Sequence, residues 1–121
     1  MKTIEHFVNG KNYSGNSKRS SPIFNPATGE ETARVQLGTT EDLNKAAEKA
    51  KEAFINWSNT PPILRARVLF KFKELIEKNS DELTKIIVSE HGKIYEDAKG
   101  SLTRGLEVVE YACGIPQMLK G

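Results

Sequence analysis

Apolar and polar positions follow two different rhythms in this chain, and the change falls at Gly38. Before it, Phe7-Val8 and Tyr13 flank Asn9-Gly10. Both turn positions of an Asn-Gly pair tolerate positive φ, so the spacing predicts a two-residue hairpin at the start of the chain. From Ser14 to Ser21 no residue is apolar, and a stretch that can bury nothing predicts an exposed loop. Ile23-Phe24 resumes extended structure. In Asn25-Pro26-Ala27-Thr28-Gly29 the proline fixes φ and the glycine accepts the left-handed position, which turns the chain into the alternating Thr32, Ala33, Arg34 and Val35 as a second hairpin.

After Gly38 the apolar residues recur at the helical period. Leu43, Ala46, Ala47, Ala50, Ala53, Phe54 and Trp57 fall on one face of a helix expected over 40–57. Thr39 is its expected cap, with Asp42 three residues on, and Glu41 to Lys45 is a favourable i,i+4 spacing worth a few tenths of a kcal/mol. Pro61-Pro62 ends one element and suits the first turn of the next, whose Val68, Leu69, Phe72, Leu75 and Ile76 form a single stripe. Arg65 and Arg67 in its first turns oppose the helix dipole. Asn79, with Glu82 three residues later, predicts a restart whose buried side is Leu83, Ile86 and Ile87, and His91-Gly92 predicts its stop. A last helix is expected over 94–112, with Ala98, Leu102, Leu106, Val109 and Cys113 in register. Gly100 and Gly105 each cost about 1 kcal/mol there relative to alanine, and their small size predicts a closely packed neighbour. The expected class is therefore α+β, mainly helical: two N-terminal β-hairpins followed by about four helices. It forms one domain over 1–121, with hairpins and loop at 1–38 and helices at 39–121.

Charge narrows the partners. Eighteen Lys and Arg against 16 Asp and Glu leave a net +2, spread through 121 residues. So small an excess gives no electrostatic reason to expect nucleic acid or an anionic membrane surface. No apolar run approaches the ~20 residues that cross a bilayer. The opening Met1-Lys2-Thr3-Ile4-Glu5-His6 lacks the apolar stretch of a secretory signal, so a cytoplasmic protein is expected. A single cysteine excludes an internal disulfide, and with only His6 and His91 beside it no metal site is expected.

The nine glycines never take the spacing of a dinucleotide fingerprint, and no phosphate loop, nucleophile elbow or zinc-binding histidine pair occurs. No cofactor site and no catalytic residue is read from this chain. Three candidates for chemistry remain. Cys113 lies at the C-terminal end of its helix, in phase with Leu106 and Val109, where a buried small apolar role is favoured over a nucleophile that needs a depressed pKa. His91 is a candidate base, but its position beside Gly92 favours a helix-terminal role. Arg104 lies away from the Leu102, Leu106 and Val109 stripe, where its guanidinium can hold a carboxylate through two parallel hydrogen bonds; pairing with Glu107 is the plainer alternative.

Phe7-Val8-Asn9-Gly10, Asn25-Pro26-Ala27-Thr28-Gly29-Glu30, the Ala46-Ala47 to Ala53-Phe54 and Trp57 spacing, and Arg65-Ala66-Arg67 together resemble the start of an aldehyde dehydrogenase. Glu90-His91-Gly92-Lys93 and the run from Arg104 to Gly114 narrow the resemblance to the CoA-acylating methylmalonate-semialdehyde dehydrogenases, over residues 5 to 121. The resemblance implies the N-terminal portion of the family's NAD-binding domain, truncated before the dinucleotide sheet. By that resemblance, full-length relatives oxidise methylmalonate or malonate semialdehyde with NAD, in valine catabolism, form a thioester on a cysteine, lose carbon dioxide, and pass the remaining acyl group to CoA, giving propionyl- or acetyl-CoA. It also implies that Arg104 is a substrate-binding residue, for the carboxylate, and that Cys113 is not the nucleophile, which lies in the part not present here. The chain alone is thus expected to be inactive and to bind neither NAD nor CoA. Uncovered apolar faces containing Phe54, Trp57, Phe72, Leu106 or Val109 predict a homo-oligomer, with a helical interaction module, a partnership with a full-length dehydrogenase, or one piece of a split enzyme as alternatives.

Overall fold

The computed structural model describes residues 1–121. The chain divides into two compact units, Met1–Asn59 and Thr60–Gly121. In the first, β1 (Lys2–Ile4) is followed by β2 (His6–Val8) and β3 (Lys11–Tyr13). Asn9 and Gly10 adopt φ of 55° and 75°, and the strands they join pair antiparallel with His6 opposite Tyr13, as the Asn-Gly signature predicts. The second hairpin also forms, from β4 (Ser20–Phe24) and β5 (Glu31–Gln36), with a register shift between Ile23 and Phe24. Its turn is held by Asn25: the backbone N–H of Ala27 donates to Asn25 Oδ1 at 2.9 Å and that of Gly29, at φ +75°, donates to the Asn25 carbonyl at 2.8 Å.

In the strands, two features differ from the sequence expectation. Strand β1 adds a parallel edge to β5, Lys2 opposite Ala33 and Ile4 opposite Val35, giving the order β1-β5-β4. A parallel partner lies far along the chain, so no local signal announces it. In addition, Ser20 and Ser21 belong to β4 rather than to an exposed loop, because a ladder needs only backbone groups. Ser20 then uses its hydroxyl to accept from Arg34 Nε at 2.8 Å. The loop before it is also tied down: Arg19 Nη2 donates to the Gly38 carbonyl at 3.1 Å, and Gln36 Nε2 donates to the Ser17 carbonyl.

Helix α1 (Thr40–Ser58) begins at the expected capping box. The backbone N–H and the hydroxyl of Thr39 each donate to Asp42 Oδ2 at 2.8 Å, while the Asp42 N–H donates to Thr39 Oγ1 at 3.1 Å. The same carboxylate accepts from Tyr13 Oη at 2.8 Å and from the Asn16 N–H at 3.1 Å. Asp42 is buried, and it fastens α1 to the β2-β3 hairpin. Lys45 sits 4.7 Å from the Tyr13 ring centroid rather than pairing with Glu41. The expected apolar face of α1 is present but uncovered: Phe54 and Trp57 remain 62% and 46% exposed.

The second unit holds α2 (Pro62–Lys78), α3 (Ser80–His91), α4 (Tyr95–Ala112) and a short α5 (Ile115–Met118). Helix α4 packs on both α2 and α3, and α5 returns to α2. Pro62 occupies the first turn of α2, as expected. Asn79 departs from its expected role. It ends α2 and begins α3 at once, and its side-chain amide turns back to donate to the Leu75 carbonyl at 2.7 Å, so no side chain caps α3. The buried position of α3 is Thr84, while Leu83 and Ile87 are half-buried and Ile86 is exposed. Donation of the Thr84 hydroxyl to the Ser80 carbonyl at 2.7 Å leaves this buried hydroxyl satisfied. Gly92, at φ 82°, ends α3 as predicted and donates to the Val88 carbonyl at 2.9 Å. Helix α5 has no counterpart in the sequence reading. No helix is long and apolar enough to cross a membrane.

Two kinds of outcome follow from the Asp42 node, one from substitution and one from acid. Thr39→Ala should destabilise the protein by about 1 kcal/mol in chemical denaturation, the usual loss for a helix cap. Gly15→Ala should cost more, because Gly15 holds φ +72° and an added Cβ would lie 3.2 Å from both Asp42 Oδ2 and His6 Cδ2. The acid limb is the second. Donation from the Thr39 backbone and then from Tyr13 lowers the Asp42 carboxyl from 3.8 to about 2. The unfolded chain therefore binds this proton first. Asp42 contributes its full stability above about pH 4 and loses it as the pH falls toward 2, and Asp42→Asn should flatten that limb of a denaturation series.

Candidate functional site

The second unit brings chemistry-bearing side chains together at the start of α4. Gly92 reverses the chain after α3, and Lys93 and Ile94 lead directly into the new helix. One face of α4 is turned inward, with Ala98 and Cys113 buried and Leu102, Leu106 and Val109 half-buried. Arg104 lies on the exposed side, where its helical phase predicts it. Its Nη2 donates to Ser101 Oγ, one turn back, at 3.3 Å. Lys93 Nζ donates to the same oxygen at 2.8 Å. Glu107 does not pair with Arg104, so the plainer sequence alternative is not realised.

Gly100 and Gly105 have a different reason from the one their size suggests. A Cβ at Gly100 would meet only Arg104 Nη1, at 3.5 Å, and one at Gly105 would meet nothing within 4 Å. No neighbouring element is pressed against either glycine. The missing side chain at Gly100 leaves the Arg104 guanidinium lying over bare backbone.

Cys113, 7% exposed at the end of α4, is a free thiol whose backbone N–H continues the helix by donating to the Val109 carbonyl at 3.1 Å. Its place matches the buried apolar role favoured by its phase. His91 is exposed in the last turn of α3, beside the helix-ending Gly92. No three His, Cys, Asp or Glu side chains converge into a metal-binding group.

In the first unit a strand leads through Gly38 into the N-terminus of α1, an order that elsewhere cradles phosphate. Here the Thr39 backbone N–H and hydroxyl already donate to Asp42, so the chain's own carboxylate occupies the cap of that helix. Beside it His6, Tyr13, Asp42 and Ala46 line a shallow pocket, and His6 Nε2 is buried there without a hydrogen-bond partner. The sequence reading missed Lys93 and Ser101 as companions of Arg104. The Ser101 to Arg104 spacing of three residues was available as a signal, but Lys93 lies outside the helix, where no period connects it to the pair.

Comparison with known proteins places these observations. Residues 13–121 match the aldehyde dehydrogenase family. A malonate-semialdehyde dehydrogenase of Pseudomonas aeruginosa is 49% identical over 121 residues, all of this chain and 24% of that protein. The crystal structure of a methylmalonate-semialdehyde dehydrogenase from Oceanimonas doudoroffii is similar to the whole chain with a TM-score of 0.95 at 50% identity, over 25% of its own length. A Sinorhizobium meliloti structure complexed with NAD, provisionally assigned to the methylmalonate-semialdehyde dehydrogenases, matches 97% of this chain at 48% identity and a TM-score of 0.93, over 24% of its length. The chain thus spans about a quarter of the relatives it matches. With the family pattern matched from Tyr13 to Gly121 and the backbone superposing throughout, this chain belongs to the aldehyde dehydrogenase family.

Proposed function

We propose that this chain is a segment of a CoA-acylating methylmalonate- or malonate-semialdehyde dehydrogenase, the N-terminal part of its NAD-binding domain, and that by itself it carries out no oxidation. The identity to malonate-semialdehyde dehydrogenases along its whole length supports the substrate class, a short aldehyde bearing a carboxylate. Arg104 is the residue this reading assigns to that carboxylate. An exposed guanidinium with most of its five donors unused has the planar geometry for two parallel bonds to it. In the whole enzyme NAD would accept hydride and CoA would receive the acyl group; a cytoplasmic setting and a place in valine catabolism accord with that assignment.

The observation that carries inactivity is the placement of Cys113. An aldehyde is oxidised through a thiohemiacetal only if a thiolate reaches its carbonyl carbon, and the hydride must then pass to a bound nicotinamide. The one cysteine of the chain is buried at the C-terminal end of α4, where its sulfur is closed off from an aldehyde carbon. Purified protein incubated with NAD, CoA and methylmalonate semialdehyde should therefore form no NADH above the rate without protein. Turnover abolished by Cys113→Ala would overturn this reading.

A second reading rests on the uncovered apolar side chains. Phe54 and Trp57 on α1 and Val68, Phe72 and Leu75 on α2 are exposed, the last three along an open apolar groove. Soluble monomers rarely leave such faces uncovered, so the chain associates with itself or with a longer dehydrogenase chain, which includes completion of a split enzyme in trans. Light scattering on the purified protein should report a mass above 13.5 kDa that rises with concentration. A clean monomer at high concentration would count against self-association.

A further inference from the structure

Two cations meet on one neutral hydroxyl at the head of α4. Since Lys93 Nζ and Arg104 Nη2 both donate to Ser101 Oγ, at 2.8 and 3.3 Å, their charges stand no more than about 6 Å apart. Like charges at that separation repel, and a serine dipole satisfies a hydrogen bond without neutralising either charge. Carboxylates are not scarce nearby, since Glu90, Glu96, Asp97 and Glu107 all lie within the surrounding segment. None forms an ion pair with Lys93 or Arg104. By contrast Lys73 and Lys85 of the same unit hold Glu77 and Asp81 at 2.8 and 2.7 Å. No carboxylate therefore stands within ion-pair distance of Lys93 or Arg104, and Gly100 puts no side chain over the guanidinium.

We propose that Lys93 and Arg104 form a paired oxyanion site for the carboxylate of a short acid, with Ser101 as the positioning residue that holds both. The proposal rests on the reading that Arg104 receives the substrate carboxylate, and it adds Lys93 as a second cationic contact. Ser101 Oγ accepts from both cations, which leaves its own proton free to donate to the same anion. Arg104 supplies the planar fork and Lys93 a compact point charge, so the pair distinguishes a carboxylate from the uncharged amide or methyl group of a similar chain.

The test is an NMR titration of the isotope-labelled 121-residue protein with malonate at constant ionic strength, with malonamide and inorganic phosphate in parallel. The expected result is that malonate moves the Arg104 side-chain N–H and the Lys93 and Ser101 amides, that malonamide moves none of them, and that phosphate binds more weakly. Lys93→Met should weaken malonate binding by roughly fivefold, and Lys93→Arg should restore it. Ser101→Ala should weaken it by about two- to threefold and Ser101→Thr, which keeps the hydroxyl, should not. Amide dispersion in the same spectra reports whether each variant is folded. Unchanged affinity in Lys93→Met with binding lost in Arg104→Met would overturn the paired site while leaving the Arg104 reading intact. Absence of any response to malonate at Arg104 would overturn both, and tighter binding of phosphate would overturn the assignment to a carboxylate.

Discussion

A single buried carboxylate organises the first unit. Asp42 accepts from the Thr39 backbone and hydroxyl, from Tyr13 and from the Asn16 backbone, and so closes the N-terminus of α1, the β2-β3 hairpin and the loop after it onto one point. Burying an ion is costly unless its lone pairs are filled, and here the donors fill them. The low carboxyl pKa is the electrostatic record of that arrangement. Gly15 belongs to the same constraint, since its left-handed backbone brings the loop so close to Asp42 and His6 that an added methyl group would press on both side chains. Tyr13, whose hydroxyl is pushed above its ordinary value by donation to Asp42, keeps its proton and hence its bond through the neutral range.

The second unit is built on small residues. Its buried side chains are Ala66, Thr84, Ala98 and Cys113, none of them large. Small side chains let helices α2, α3 and α4 approach closely but remove little apolar area from water. Of the large ones, Phe70, Phe72, Leu75 and Tyr111 stay exposed, while Leu69, Leu83, Leu102 and Leu106 are only half-buried. A helical stripe states which face seeks cover, and it does not supply the cover. The same separation holds on α1, where the predicted face forms with Phe54 and Trp57 in phase and in water.

Local rules were legible wherever neighbours in sequence decide the outcome. Asn9-Gly10, the Thr39 and Asp42 box, Pro62 in a first helical turn and Gly92 as a stop all behave as their chemistry requires. Two readings failed where one residue had two local options. Asn79 could cap the helix ahead or the one behind, and its amide chose the carbonyl behind. Lys45 could meet Glu41 or an aromatic ring, and Tyr13, brought across from the hairpin, took it. At the candidate site the phase of Arg104 was readable from the α4 stripe. Its partners were not, because Glu107 and Ser101 lie at equal helical distance and Lys93 is delivered by the turn at Gly92.

From residue order alone came the class of fold, the two hairpins, the four principal helices with their faces, the family resemblance, and the exposure of Arg104. These depend on φ preferences, capping and periodicity, which act over a few residues. Tertiary structure decided the parallel pairing of β1 with β5, the choice of Asp42 rather than an apolar residue as the buried anchor of α1, and the meeting of Lys93 with Arg104 on Ser101. Each of these joins groups that no backbone period connects, so only the folded path of the chain sets their distance.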